Sequence, residues 1–505
     1  MHRLRELPLL VILAGIAAVA MYVPALHALT LGDHATSRAF FYSGSLLLML
    51  TALMALATSR RARTDPVRAQ VLALLGAYVV LPLMLAVPLV QAAGMRFRDA
   101  WFEMVSSFTT TGATLLSDPG AVPDAVHLWR GLVGWAGGFF VLLAVLALFA
   151  PRNLGGFEVL SGRPGRARRR GDPGPGDRAA PQGGPGRLQG FALQLAPLYC
   201  GLTALLAVGL LIAGDAPLVA VMHAMAILST SGVSPVAGMG GSGFAGEAMM
   251  LLFLVFALTR HSLPGGLHPG ELRSLPADPE FRIAVWIILS VGGFLFVRHI
   301  VGVLAGEAPT DAVTALRVLW GSIFTAASFL STTGFAAPGW ADAGLLSGFG
   351  PAGLVLAGLA LIGGGVATTA GGLKLLRVYA LYRHGLREME RILHPASVAG
   401  RGRNARLLRR EGAMAAWVYL MLYVMALVVV LGLLAVTGLG FEPALVFSIS
   451  ALTTTGPLAD VAMPEPLLYA ELGEGARIVL AAAMILGRLE ILALIALVLP
   501  ESWRG

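Results

Sequence analysis

The chain has 505 residues, 57% of them hydrophobic and only 13% charged, with a formal net charge of +8. A soluble domain carries roughly a quarter charged residues, so the composition excludes an ordinary soluble protein and leaves a polytopic membrane protein. The single cysteine, Cys200, excludes an intramolecular disulfide and is expected as a small buried side chain.

The opening run LPLLVILAGIAAVAMYVPALHAL is too long for a signal-peptide core and has no cleavage site, so it reads as a retained first helix. Runs near or above the ~20 apolar residues that cross a bilayer place ten spans. They fall at about 7–29, 38–58, 68–92, 126–149, 190–213, 245–261, 282–304, 348–382, 412–437 and 472–499. Lys374 is the only lysine, and the arginines are bunched: Arg60, Arg61, Arg63 and Arg68 in one connection, eight in 152–187 and eight in 383–410. A basic patch can mark nucleic-acid binding, but in a membrane protein the positive-inside rule is the commoner cause. These connections are therefore expected in the cytoplasm, with both termini, and no nucleic-acid partner is expected. The stretch 161–188, rich in Gly, Pro and Arg, reads as a flexible linker.

Between the spans lie four segments that are apolar yet read as too short to cross, at about 99–110, 217–229, 311–331 and 442–453. Each ends in hydroxyl, threonine, hydroxyl, glycine: Thr109–Gly112, Ser229–Gly232, Ser331–Gly334 and Thr453–Gly456, the glycines 120, 102 and 122 residues apart. The repeating unit is helix, re-entrant helix, glycine loop, helix. The expected fold is an all-α polytopic membrane protein, with four helix–pore-loop–helix units in a pseudo-fourfold arrangement plus an N-terminal helix pair. Its parts are the pair (1–60), unit 1 (61–150), a basic linker (151–188), unit 2 (189–275), unit 3 (276–382), a second basic linker (383–410) and unit 4 (411–505).

Irregular backbone at membrane depth survives only where protein buries it or where it lines a wet cavity. Four such loops can present oxygens that replace the water shell of a permeating cation. The candidate cation ligands are Thr110, Thr111, Gly112 and Ala113; Thr230, Ser231, Gly232 and Val233; Thr332, Thr333, Gly334 and Phe335; and Thr454, Thr455, Gly456 and Pro457. Glycine admits backbone conformations closed to other residues, and the flanking hydroxyls either add oxygen ligands or tie the loop to its helix. Each short helix also points its partially negative C-terminus at the loop, which favours a cation. Asp118, Asp342 and Asp460 follow three of the loops, either concentrating cations there or simply solvated.

The eighth span is interrupted by GGGVATTAGG at 363–372, which should unwind it. Lys374 follows leucine, so the run is no phosphate-binding loop. The residues Gly363, Gly364, Gly365, Thr368, Thr369, Gly371, Gly372 and Lys374 form a candidate gate, the alternative being a kink with Lys374 snorkelling outward. Arg488, too deep in the last span for easy snorkelling, is a second candidate gate charge, and Glu490, two residues on, points elsewhere.

The constellation resembles the Trk/Ktr/HKT superfamily of potassium transporters, within it the TrkH branch. The resemblance is carried by the four loops, by WRGLVGWAGGFFVLLAVLAL after the first, by ADPEFR before the third unit, by STTGFA, and by MILGRLEILAL in the last span. The fourth loop, TTTGPLAD, and the turn RHSLPGGLHPGEL depart from the family form. The resemblance implies potassium uptake across a bacterial cell membrane through a gated pore, with K+ the transported and loop-bound ion and no organic cofactor. It further implies a homodimer served by a cytoplasmic ring of nucleotide-binding, TrkA-like regulatory subunits, and an intramembrane loop that obstructs the pore. Membrane lipid is the other expected partner, of the basic connections. Less selective K+/Na+ transport and ion-coupled secondary transport stay open. The sequence offers no enzyme motif.

Overall fold

A computed structural model of the chain describes residues 9–58, 66–149, 185–236, 238–259, 275–304, 311–340, 353–394 and 410–489. Asp342, Glu490 and residues 151–184 and 395–409 of the two basic linkers lie outside these residues. The remainder corrects the expected bounds, since 185–188 open the helix Pro185–Ala213 and 383–393 continue the helix Leu375–Leu393. The described chain is nearly all helix, and eight helices are long and apolar enough to cross a membrane.

Seven of the expected spans recur as such helices: Leu9–Thr30, His34–Thr58, Ala73–Ala92, Asp124–Ala147, Gly190–Ala213, Pro279–Leu304 and Gly412–Val436. The helix after the second loop runs from Gly243 to Leu258, 16 residues, and the last is described from Glu474 to Leu489. The expected span 348–382 is two helices, Gly353–Ile362 and Leu375–Leu393, joined by the glycine-rich stretch.

The four short segments are the helices Phe97–Phe108, Pro217–Ser229, Ala312–Leu330 and Phe441–Thr453. Their starts carry the usual signals. Pro217 occupies the first turn of the second, where a missing N–H costs nothing. Asp99 and Glu442 put negative charge on the positive ends of the first and fourth. The third helix corrects an expectation: its 19 residues are long enough by length alone to span. It still terminates in buried backbone, at Ser331.

The short helices are packed at the centre with the long ones around them. Small residues let the backbones meet, as in membrane helix pairs generally. A Cβ on Gly137 would collide with the Phe108 carbonyl, and one on Gly487 with the Leu452 carbonyl; each carbonyl lies four residues before a loop glycine. The N-terminal pair packs against the two long helices of unit 1. Cys200 corrects another expectation, since its thiol is exposed on the outside of the bundle. At membrane depth that outer face is itself apolar, so a small sulfur side chain need not be inside.

Close packing at Gly137 is testable. Gly137→Ala overpacks the contact with Phe108, which typically costs ~1–3 kcal/mol. The detergent-solubilised protein should melt at least ~2 °C lower, while Gly201→Ala, with open space around its Cα, should leave the melting temperature unchanged.

Candidate conduction pore

Each short helix is stopped by the same turn. The threonine two residues before each glycine has positive φ: 55° at Thr110, 51° at Thr230, 59° at Thr332 and 55° at Thr454. Its N–H donates to the carbonyl three residues back, at 2.9, 3.3, 3.1 and 3.2 Å in chain order. The next N–H, of Thr111, Ser231, Thr333 and Thr455, reaches five residues back at 2.8, 2.9, 2.9 and 2.9 Å. This is the Schellman termination, which normally takes glycine in the left-handed position. A β-branched residue there is strained by ~1–3 kcal/mol, which persists only when the surroundings enforce it.

The flanking hydroxyls explain the rest of the motif. They bond each other across the turn: Thr109 to Thr111 at 2.8 Å, Ser229 to Ser231 at 3.0 Å, Ser331 to Thr333 at 3.0 Å and Thr453 to Thr455 at 3.1 Å. Of the two roles open to them, they tie the loop to its helix. The middle threonines differ from one another. Thr110 Oγ1 and Thr454 Oγ1 are buried without a hydrogen-bond partner, while Thr230 Oγ1 donates to the Ser229 carbonyl at 2.8 Å.

The four loops close on one another in order. A Cβ on Gly112 would strike the Ser231 carbonyl, one on Gly232 the Thr333 carbonyl, one on Gly334 the Pro457 ring, and one on Gly456 the Ala113 amide. Contact therefore runs from loop 1 to 2, 2 to 3, 3 to 4 and 4 back to 1. Gly456 N also donates to the Thr111 carbonyl at 2.6 Å.

Three of the glycines use positive φ, at 78°, 61° and 89°, and Gly456 does not. Beyond it Pro457 enters the short helix Leu458–Val461 at once. Some candidate carbonyls are already engaged: Ala113 accepts from Ser106 Oγ at 2.6 Å, Thr455 from Ser450 Oγ at 2.9 Å, and Gly456 from the Tyr469 hydroxyl at 3.0 Å. Ala113 and Val233 are buried behind the ring.

All four glycines, with Phe335, Pro457 and Asp460, line a mouth cavity of about 490 Å3. Asp118 instead caps a one-turn helix, accepting from Gly120 N at 3.0 Å. On the opposite side of the ring the space is filled by residues 363–374. Gly371 N donates to Thr332 Oγ1 at 2.7 Å, Thr369 Oγ1 to the Leu228 carbonyl at 3.2 Å, and Thr368 Oγ1 to the Gly365 carbonyl at 2.7 Å. Gly371 is also wedged against Thr453 and Thr454, and Gly363 against Gly372. The segment thus touches three of the four loops or their short helices.

Lys374 is buried and folds back to donate to the Ala370 carbonyl, so it does not snorkel. With Arg488, Thr368, Gly371 and Gly372 it lines a cavity of only about 20 Å3. That holds about one water molecule, against the open mouth of about 490 Å3 on the other face.

Sequence reasoning passed over the groups that hold this segment. Glu280 Oε1 accepts from Val366 N at 2.7 Å, and Gly365 N donates to the Ala257 carbonyl at 2.9 Å. The signal was present in ADPEFR: an acidic pair at the head of an otherwise apolar span. Tyr469 was also missed, since one tyrosine in a polar turn carries no pattern.

The TrkH family model, described as a cation transport protein, matches residues 283–503. The chain is 29% identical over 422 residues to the Trk system potassium uptake protein TrkH of Vibrio parahaemolyticus, covering 81% of this chain and 80% of that one. It is 28% identical over 421 residues to the Trk system potassium uptake protein TrkH of Escherichia coli K12, covering 82% and 81%. The crystal structure of the potassium transporter TrkH from Vibrio parahaemolyticus superposes with a TM-score of 0.81 at 25% identity, over 100% of both chains.

The Thr332–Gly371 bond predicts a local effect that needs no functional assay. Thr332→Ala leaves a buried N–H unpaired, worth ~1–3 kcal/mol. Hydrogen exchange over 366–374 should accelerate at least about fivefold, whereas Thr332→Ser should exchange like the wild type.

Proposed function

We propose that this chain, which is similar to TrkH cation transport proteins over most of its length, takes up potassium through a gated pore whose selectivity filter is the ring of four loops. The observation that supports this best is the cyclic closure of the loops around Gly112, Gly232, Gly334 and Gly456. Backbone carbonyls and the free hydroxyls of Thr110 and Thr454 replace the hydration shell of K+. The short helices aim their partially negative C-termini at the same point, lowering the energy of a cation there without fixed anionic ligands.

In this reading residues 363–374 are the gate. Their backbone occludes the inner side, and the charges of Lys374 and Arg488 oppose a cation arriving from the filter. The units divide as 61–150, 189–275, 276–382 and 411–505, with the helix pair at 1–60 and the two basic linkers on the cytoplasmic side together with both termini. The relatives are named as proteins of a Trk system, which fits a membrane subunit of a larger assembly. We place this chain in the cell membrane as a homodimer, with lipid around it and a cytoplasmic nucleotide-binding ring of TrkA-like subunits as its regulator. Its work is transport rather than catalysis.

A second reading, broader K+/Na+ transport, is favoured by one observation. The fourth loop departs from the other three, with no positive φ at Gly456 and with the Thr111 carbonyl already holding its N–H. Uptake of rubidium against sodium separates the two.

Expression should restore low-potassium growth to a potassium-uptake-deficient bacterium supplied with the regulatory subunit. Gly334→Ser, which drives a side chain into Pro457, should lower the Rb+/Na+ preference at least about tenfold, equivalent to ~1.4 kcal/mol. Absence of rescue by well-expressed wild-type protein would sink the proposal. The mouth adds a pH dependence. Asp460 is exposed to the mouth cavity, but the surrounding protein walls limit its hydration and push its carboxyl up to about 6, so it is anionic and attracts cations above that pH and is neutral below it. Rubidium uptake should fall as the pH at the mouth drops through 6, and Asp460→Asn should give the lower rate at every pH.

A further inference from the structure

Nine residues before its glycine, each short helix carries a side chain that meets the chain beyond the loop, in three units the segment leaving the glycine and in the fourth Tyr469. These are Glu103, His223, Thr325 and Phe447. Thr325 Oγ1 accepts from Ala337 N at 3.1 Å, and His223 Nε2 lies 3.0 Å from Ser234 Oγ. Phe447 packs edge-on against Tyr469, ring centroids 4.9 Å apart, whose hydroxyl reaches the Gly456 carbonyl. Three quarters thus share one polar strap position with three different chemistries, and in the fourth the position is an aromatic contact.

In the first quarter the strap is a carboxylate. Glu103 is fully buried, and Oε1 accepts from Thr114 Oγ1 at 2.8 Å and from Leu115 N. Its Oε2 accepts from Arg130 Nε at 3.0 Å. Arg130 is 3% exposed, its Nη1 3.4 Å from His127 Nδ1, and His127 Nε2 is 2.9 Å from the Pro119 carbonyl. The belt therefore runs from the short helix through the strand 113–116 to the long helix behind it and back to the mouth.

A buried ion pair is weak as a source of stability, since apolar residues of similar size often do as well. Its value lies in fixing geometry, and what it grips begins two residues beyond Gly112. We infer that Glu103 is a positioning residue for ion selectivity: its carboxylate holds Thr114 and Leu115 so that the loop 1 carbonyls stay at a K+-sized radius, with Arg130 as its counter-charge. This rests on the proposed filter and adds a determinant behind it.

Two double variants isolate the strap, because both remove the charged pair and only one keeps an acceptor for Leu115 N. Glu103→Gln/Arg130→Met retains an amide oxygen there, and Glu103→Leu/Arg130→Met does not. Rb+ and Na+ uptake into proteoliposomes is compared with wild type, alongside hydrogen exchange over 112–118. The Gln/Met protein should keep a Rb+/Na+ ratio within about twofold of wild type. The Leu/Met protein should lose at least about tenfold, the scale of one hydrogen bond, with faster exchange of the strand. A folded Leu/Met protein with wild-type selectivity overturns the inference. So does equal loss in both variants, which assigns the effect to the charges, and so does failure of both to fold, which assigns the pair to stability. Wild-type protein that itself shows no preference for Rb+ refutes the filter reading instead, and the exchange comparison then still decides whether Glu103 holds the strand.

Discussion

Four times over, this chain must end a helix inside a membrane protein and leave the backbone fully hydrogen-bonded. Unpaired N–H and C=O groups at that depth have no bulk water to turn to. The solution is one turn repeated, with threonine in the left-handed conformation and the next N–H reaching five residues back. Everything else in the centre of the molecule depends on it. It redirects the chain at Thr110, Thr230, Thr332 and Thr454, brings the glycines edge to edge, and leaves some carbonyls and hydroxyls over for a ligand.

The strain of the turn is carried by its surroundings. The flanking hydroxyl pairs lock it from within, and in three units the residue nine positions before the glycine braces the departing segment from behind. The braces are unlike, so the ring is fourfold in trace and not in chemistry. Pro457, the Gly456–Thr111 bond and the Glu103–Arg130 pair set the fourth and first quarters apart from the other two.

The glycine-rich segment beneath the ring uses the same economy of space. It is held by Glu280, by Thr332 and by the carbonyls of Ala257 and Leu228, all belonging to elements that also build the ring or its supports. The ring of loops and the glycine-rich segment are thus one hydrogen-bonded structure.

Membrane character, the four-unit repeat and the position of the loops were legible in the sequence, because they follow from local apolar runs and a motif repeated at matching places. The break at 363–372 was legible too, since clustered glycine unwinds a helix whatever surrounds it. The length of the third short helix, the exposure of Cys200 and the roles of Glu280 and Tyr469 were not. Nor was the division of labour inside the motif. Threonine is a poor left-handed residue by intrinsic preference, so nothing local singled out Thr110 as the turning point and the glycine as the contact. The sequence by itself determined where the chain bends, through hydropathy and repetition. Only the tertiary structure decided which oxygens are engaged within the protein and which stay unpaired, because that depends on how each side chain is turned and on partners that range from the same short helix, as Ser106 is for Ala113, to another unit, as Gly456 is for Thr111.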